Sequence, residues 1–99
     1  KQFTLLFGTR LPETILYREE FERLEREHLN FHFWPTLSRA DASWTGRRGH
    51  VQQHLAEAIG DRRDMDIYVC GLRVMVDDVR ARLKEMGFDR KRIITERYD

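Results

Sequence analysis

The residues of this chain that can do chemistry follow short apolar runs. Tyr68-Val69-Cys70-Gly71-Leu72-Arg73-Val74-Met75 ends one run with a thiol and a glycine, where the backbone must turn sharply. A ligand can approach closely there because Gly71 carries no side chain. Ser38 and Arg39 follow a second run, and Arg47 and Arg48 close the loop after it. A hydroxyl and several guanidinium groups so placed can converge on an anion such as phosphate, which arginine grips in a planar fork. Gly8, Thr9 and Arg10 follow the first run, and Glu96 to Asp99 follow the last. Two plain alternatives stand beside these readings: Cys70 as a small inert core residue, and the arginines as a solvated loop. Trp44, inside the loop, either stacks on a base or closes over the core.

Other chemistries find no support. His50 and His54 have the i,i+4 spacing of metal ligands, but His50-Val51-Gln52-Gln53-His54 lacks the glutamate of a zinc protease, and no third ligand is in view. His28 and His32 span a helix end and a strand, where no common site geometry applies. The chain has no nucleophile elbow, no Gly-Lys-Ser/Thr phosphate loop and no G-x-G-x-x-G run.

Composition narrows the classes further. Ninety-nine residues suit one small domain, or a piece of a larger one. Eighteen Lys and Arg against 17 Asp and Glu leave a net charge of +1, so no global field recruits nucleic acid or an anionic membrane. The longest apolar runs, Leu5 to Gly8 and Ile67 to Leu72, fall far short of the roughly 20 residues of a spanning helix. The single cysteine, Cys70, excludes an internal disulfide and suits a reducing compartment, so the expectation is a soluble, cytoplasmic protein. Lys1 opens the chain without a signal-peptide pattern and reads as a processing boundary.

Elements of alternating type must position these residues. Phe3 to Phe7, closed by Gly8, reads as a strand buried on both faces. Thr14 to Glu27 places Tyr17, Phe21 and Leu24 on one face of an amphipathic helix. Phe31, Phe33 and Trp34, near Leu37, give a second strand, with Pro35 near a strand end or edge. Ser38 to Gly49 has no hydrophobic period and reads as a surface loop of the length that is usually functional. Val51, Leu55, Ala58 and Ile59 mark a helix stopped by Gly60, and Ile67 to Cys70 a third buried strand. Val76, Val79, Leu83 and Met86 mark a helix ended by Gly87, and Ile93 to Thr95 a last strand. Strands alternating with helices predict an α/β fold with a parallel sheet, whose ligands sit at the carboxyl ends of the strands.

Taken together, several segments match one family in order and spacing. They are Leu5-Leu6-Phe7-Gly8-Thr9-Arg10, Leu37-Ser38-Arg39, Gly46-Arg47-Arg48-Gly49-His50-Val51-Gln52, Tyr68-Val69-Cys70-Gly71-Leu72 with Met75, and Glu96-Arg97-Tyr98. The chain resembles the nicotinamide-binding domain of the ferredoxin-NADP reductase family. That resemblance implies a three-layer, Rossmann-like NAD(P)H-binding domain in a flavin-dependent oxidoreductase, where hydride passes from the nicotinamide to FAD. It implies Ser38, Arg39 and Arg48 on the adenosine side, His50 in place of the family's adenine-stacking tyrosine, and Gln52 at the glutamine of the same motif. Arg10, beside Gly8 and Thr9, is a further contact for the adenosine phosphate. Cys70 and Gly71 fall beside the nicotinamide and flavin, and Leu72 to Met75 along the adenosine and pyrophosphate. Glu96 falls near the hydride path and Tyr98 near the isoalloxazine.

Members of this family precede the matched region with an FAD-binding barrel, a first strand and a Gly-rich turn, and these 99 residues contain none of them. The family's sheet order puts that strand between Phe3 to Phe7 and Ile67 to Cys70, where a gap would leave two buried edges unpaired. The expectation is therefore a fragment of a longer polypeptide. Its implied partners are NAD(P)H, FAD held mainly by a domain outside this chain, and a protein electron acceptor such as a ferredoxin, a flavodoxin or an oxygenase component. The alternative is a non-catalytic nucleotide-binding or protein-interaction module. An RNA-binding reading through Phe31, Phe33 and Trp34 lacks both the spacing of a stacking platform and the charge.

Overall fold

The structure, a computed structural model, describes residues 2–10, 18–40 and 42–97. Its elements are β1 (Gln2–Thr9), α1 (Arg18–Glu27), β2 (Phe31–Leu37), β3 (Arg47–Arg48), α2 (Leu55–Ile59), β4 (Met65–Gly71), α3 (Arg73–Glu85) and β5 (Ile93–Arg97). Short 3-10 turns, Val51–His54 and Arg90–Arg92, lead into α2 and β5. The sheet runs in the order β3-β2-β1-β4-β5, and every pairing is parallel.

Two expectations change. The gap expected between the first and third predicted strands is closed, because β1 pairs directly with β4 from Gln2 opposite Met65 to Phe7 opposite Cys70. The backbone ladders of both strands need partners, and each supplies the other's. Strand β4 differs from its expected form in being buried on one face only, with Met65, Ile67 and Val69 buried and Tyr68 exposed. The loop from Ser38 to Gly49 also holds regular structure: Arg47 and Arg48 pair with Thr36 and Leu37 as β3. The predicted start of the first helix, Thr14 to Tyr17, lies outside the described residues.

Helices cover both faces of the sheet. Along β1 the side chains alternate, so Leu5 and Phe7 join Phe33 and Leu37 on one face while Leu6 joins the core on the other. Helix α1 lies on the first face through Phe21, whose ring centroid is 5.4 Å from that of Phe33 and 6.4 Å from that of Phe31. No residue of α1 is itself buried. Helices α2 and α3 bury Ala58, Ile59, Val76, Val79 and Leu83 against Ile67 and Val69 on the second face. Truncating Leu83 or Ile59 to alanine there costs roughly 2–5 kcal/mol. The stop predicted at Gly87 takes a definite form: φ is 102°, the Gly87 N–H reaches Lys84 O, and the N–H of buried Phe88 reaches Leu83 O.

Pro35 sits in register with Phe7 inside β2, at the position where the strand's outer edge is uncovered. Its neighbours in phase face away from β1: the Phe33 N–H donates to Glu25 Oε2 at 2.8 Å and the Phe31 N–H to His28 O at 3.2 Å. Proline has no N–H to satisfy there. Among the described residues no helix is long and apolar enough to cross a membrane.

Candidate functional site

The connection leaving β1 runs to β2 on one side, whereas the connection leaving β4 runs to β5 on the other. The point where direction reverses therefore lies between β1 and β4, and parallel sheets open a crevice beyond the carboxyl ends of such strands. A cleft of about 480 Å³ lies there. Gly8, Thr9, Arg10, Ser38, Arg39, Gly49, His50, Val51, Gln52, Leu72, Val74 and Met75 line it, with no carboxylate among them.

Backbone pairing places the cationic end. The Ser38 N–H donates to Thr9 O at 3.0 Å and the Arg39 N–H to Arg10 O at 2.9 Å, so the β1–β2 ladder continues past the sheet and carries both arginines to the rim. Neither guanidinium makes a hydrogen bond or ion pair among the described residues. The opposite wall is fixed by the turn after β3. Gly49 adopts φ 92° and donates to Leu37 O at 2.9 Å, and the His50 N–H donates to Gln53 Oε1 at 2.8 Å.

A glycine notch floors the cleft. A Cβ on Gly71, whose φ is 155°, would lie 2.6 Å from Gly8 O and collide with the Met75 methyl. One on Gly8 would lie 2.7 Å from Met75 Cε and 2.8 Å from Val51 Cγ2. The space left by the glycines is thus occupied by strand approach and by the Met75 thioether, a flexible side chain that fills irregular gaps.

The structure brings together Gly8, Thr9, Arg10, Ser38, Arg39, His50, Gln52, Leu72 and Met75 from the predicted set, with Gly71 just beneath. Arg48 stands apart. Its guanidinium donates to Ala40 O at 3.0 Å and to Trp44 O, while the Trp44 indole N–H reaches Arg47 O at 2.9 Å. Arg47 lies over the Trp34 ring at 3.4 Å and donates to Glu57 at 3.0 Å. Trp44 packs against the core under α1, the second of its two readings. His54 pairs through Nε2 with Arg48 O.

Cys70 and Glu96 do not line the cleft. They are neighbours in register on β4 and β5, Cys70 half-buried against the Leu5 and Phe7 side and Glu96 exposed. Tyr98 lies outside the described residues. Val74 also lines the cleft, within the Leu72 to Met75 stretch expected along the ligand, whereas sequence reasoning missed Gly49 and Val51 as lining residues; the glycine next to Arg48 carried a signal, and Val51 read only as core. It also missed Asp78, which accepts from Gln52 Nε2 at 2.9 Å and from Arg82 Nε at 3.0 Å. Those two hydrogen bonds hold the Asp78 carboxyl below its ordinary range.

Known proteins share this architecture. The family model described as oxidoreductase NAD-binding domain matches residues 1–81. Ferredoxin–NADP reductase B of Sorangium cellulosum is 44% identical over 103 residues, which cover 96% of this chain and 42% of that protein. A component of the Na(+)-translocating NADH-quinone reductase of Klebsiella pneumoniae is 31% identical over 104 residues, covering 99% of this chain and 26% of that protein. This chain therefore spans less than half the length of either relative. Among solved structures, the cytochrome b5 reductase domain of Ulva prolifera nitrate reductase superposes with a TM-score of 0.74 at 18% identity, covering 97% of this chain and 50% of that one. An Amycolatopsis cytochrome P450 reductase superposes with a TM-score of 0.71 at 26% identity, covering 94% and 28%. With a parallel α/β sheet, a cleft at the reversal point and a family match over most of its length, the chain belongs to the oxidoreductase NAD-binding domain family.

Proposed function

We propose that the cleft binds NAD(P)H and presents it to FAD within an FAD-dependent reductase that passes electrons onward to a protein acceptor such as a ferredoxin, a flavodoxin or an oxygenase component. One observation carries the reading. Among the described residues, two guanidinium groups without a partner, Arg10 and Arg39, stand with Ser38 at one end of a cleft lined by no carboxylate, at the sheet's reversal point. A dinucleotide offers matching chemistry, anionic phosphates for the cations and planar rings for Leu72, Val74 and Met75.

In this reading Arg39, Arg10 and Ser38 hold the adenosine-side phosphate, and His50 and Gln52 flank the adenosine. The Gly8–Gly71 notch lets the dinucleotide lie close to the strand ends once the Met75 side chain swings aside. Cys70 and Glu96 sit at adjacent strand ends toward the hydride path. Cys70 orients the nicotinamide there and makes no bond to it. The nicotinamide and FAD supply the hydride chemistry, and residues outside this chain hold most of the FAD. What this chain contributes is position and charge. A single thiol, Cys70, supports a reducing, cytoplasmic setting.

Equilibrium titration of the protein with NADP+, NAD+ and nicotinamide mononucleotide tests this reading. Both dinucleotides are expected to bind more tightly than the mononucleotide, which lacks the adenosine half, and NADP+ more tightly than NAD+, which lacks the 2'-phosphate for Arg39. Equal affinity for all three contradicts the proposed role of the cationic end.

A further inference from the structure

Gln52 lines the cleft, yet its amide is held from outside it. Nε2 donates to Asp78 Oδ2 at 2.9 Å, and the same oxygen accepts from Arg82 Nε at 3.0 Å, four residues further along α3. The other end of the amide, Oε1, is buried and has no hydrogen-bond partner among the described residues. A carboxylate accepts and cannot donate, so it selects one of the two amide orientations: the NH2 turned to Asp78, the carbonyl oxygen left over. The reverse orientation would set two acceptors against each other. Both hydrogen bonds favour the charged carboxylate, which keeps Asp78 an acceptor at neutral pH.

We propose that Asp78 is a positioning residue that acts through Gln52, fixing its amide so that Oε1 is the group offered to the ligand, and the site thereby favours a ligand that brings an NH2 donor there. An unsatisfied buried acceptor is unfavourable, and a donor arriving with the ligand relieves it. Side chains commonly adjust their rotamers on binding, and the Asp78 anchor preserves which end of the amide donates while Gln52 moves. The inference rests on the reading of the cleft as a dinucleotide site. A dinucleotide carries two NH2 donors, and with Gln52 flanking the adenosine the one that meets Oε1 is the exocyclic amine of adenine, the carboxamide of nicotinamide serving as the control.

The test measures dissociation constants of three ligands: NADP+, its analogue without the adenine amine, and its analogue with nicotinic acid in place of nicotinamide. The wild-type protein is expected to lose about fivefold in affinity for the analogue without the adenine amine, the size of one hydrogen bond, and a loss confined to the nicotinic acid analogue would move Gln52 away from the adenosine. In Asp78→Asn the side chain can donate as well as accept, the Gln52 amide is free to invert, and this preference is expected to fall below twofold. Arg82→Ala removes the ion pair but keeps the acceptor, and is expected to retain the preference. Thermal melting of each variant separates loss of fold from loss of preference, since unfolding weakens all three ligands together. Wild-type binding of all three ligands with equal affinity overturns the proposal, as does an Asp78→Asn protein that discriminates as strongly as wild type. Failure of wild type to bind any of them overturns the dinucleotide reading itself.

Discussion

Arg10 and Arg39 on one side, and Arg47 and Arg48 on the other, are similar by sequence and opposite in circumstance. The first pair stands at the rim of the cleft with no partner among the described residues. The second pair faces the fold: Arg47 lies on Trp34 and bonds Glu57, and Arg48 ties the carbonyls of Ala40 and Trp44. A guanidinium has five donors in a fixed fork, and once they are engaged by carbonyls and rings it acts as a strut. The difference teaches that an arginine's availability, more than its position near a loop, decides whether it can hold an anion. The resemblance put Arg48 on the adenosine side, and the geometry gives that arginine to the loop.

The sharpest way to test this contrast is to remove one arginine from each pair. Arg39→Ala is expected to weaken NADP+ by about tenfold while changing NAD+ much less, because a charge-assisted contact to the 2'-phosphate disappears. Titration of both nucleotides checks it, and an equal loss for both would take Arg39 away from that phosphate. Arg48→Ala should do the reverse. Loss of the bonds to Ala40 and Trp44 is expected to cost about 1 kcal/mol of stability, a fall of roughly 5 °C in Tm, with the ratio of NADP+ to NAD+ affinity unchanged. A selective loss of NADP+ in that variant would erase the contrast.

The smallest effect concerns Asp78. Its folded pKa lies below the ordinary value of 3.8, first through the hydrogen bond from Gln52 and then through that from Arg82. A depressed carboxylate contributes stability that is fully present above its unfolded pKa and lost as pH falls through the folded one. The stability difference between wild type and Asp78→Asn is therefore expected to hold from neutral pH to about pH 4 and to shrink below it, as followed by urea unfolding. A difference that grows on acidification would contradict the hydrogen-bond assignment.

Much of the framework was legible because local signals agreed with the global fold. Phe3 to Phe7 and Ile67 to Cys70 are continuous apolar runs, and both became central strands. Gly60 and Gly87 end their helices at positive φ, as their placement after apolar periods implied. Ser38, Arg39 and Arg10 follow strand ends, where parallel sheets expose their clefts. The order of strands was not legible, because a run buried on both faces states that it needs two partners and does not name them. The direct pairing of β1 with β4 is such a case. Arg47 and Arg48 were unreadable for a related reason: their rings and carbonyls, Trp34, Ala40 and Trp44, are brought to them by loop geometry with no sequence period. Asp78 looked like one more exposed acid on α3, and only its contact with Gln52 sets it apart.

Amide chemical-shift mapping of the protein with NADP+ tests the central claim most directly. The account predicts that the largest shifts fall at Thr9, Arg10, Ser38, Arg39 and Gln52, with Glu57 and the segment from Trp44 to Arg48 little moved. Shifts centred on Arg47 and Arg48, or none at saturating nucleotide, would contradict it.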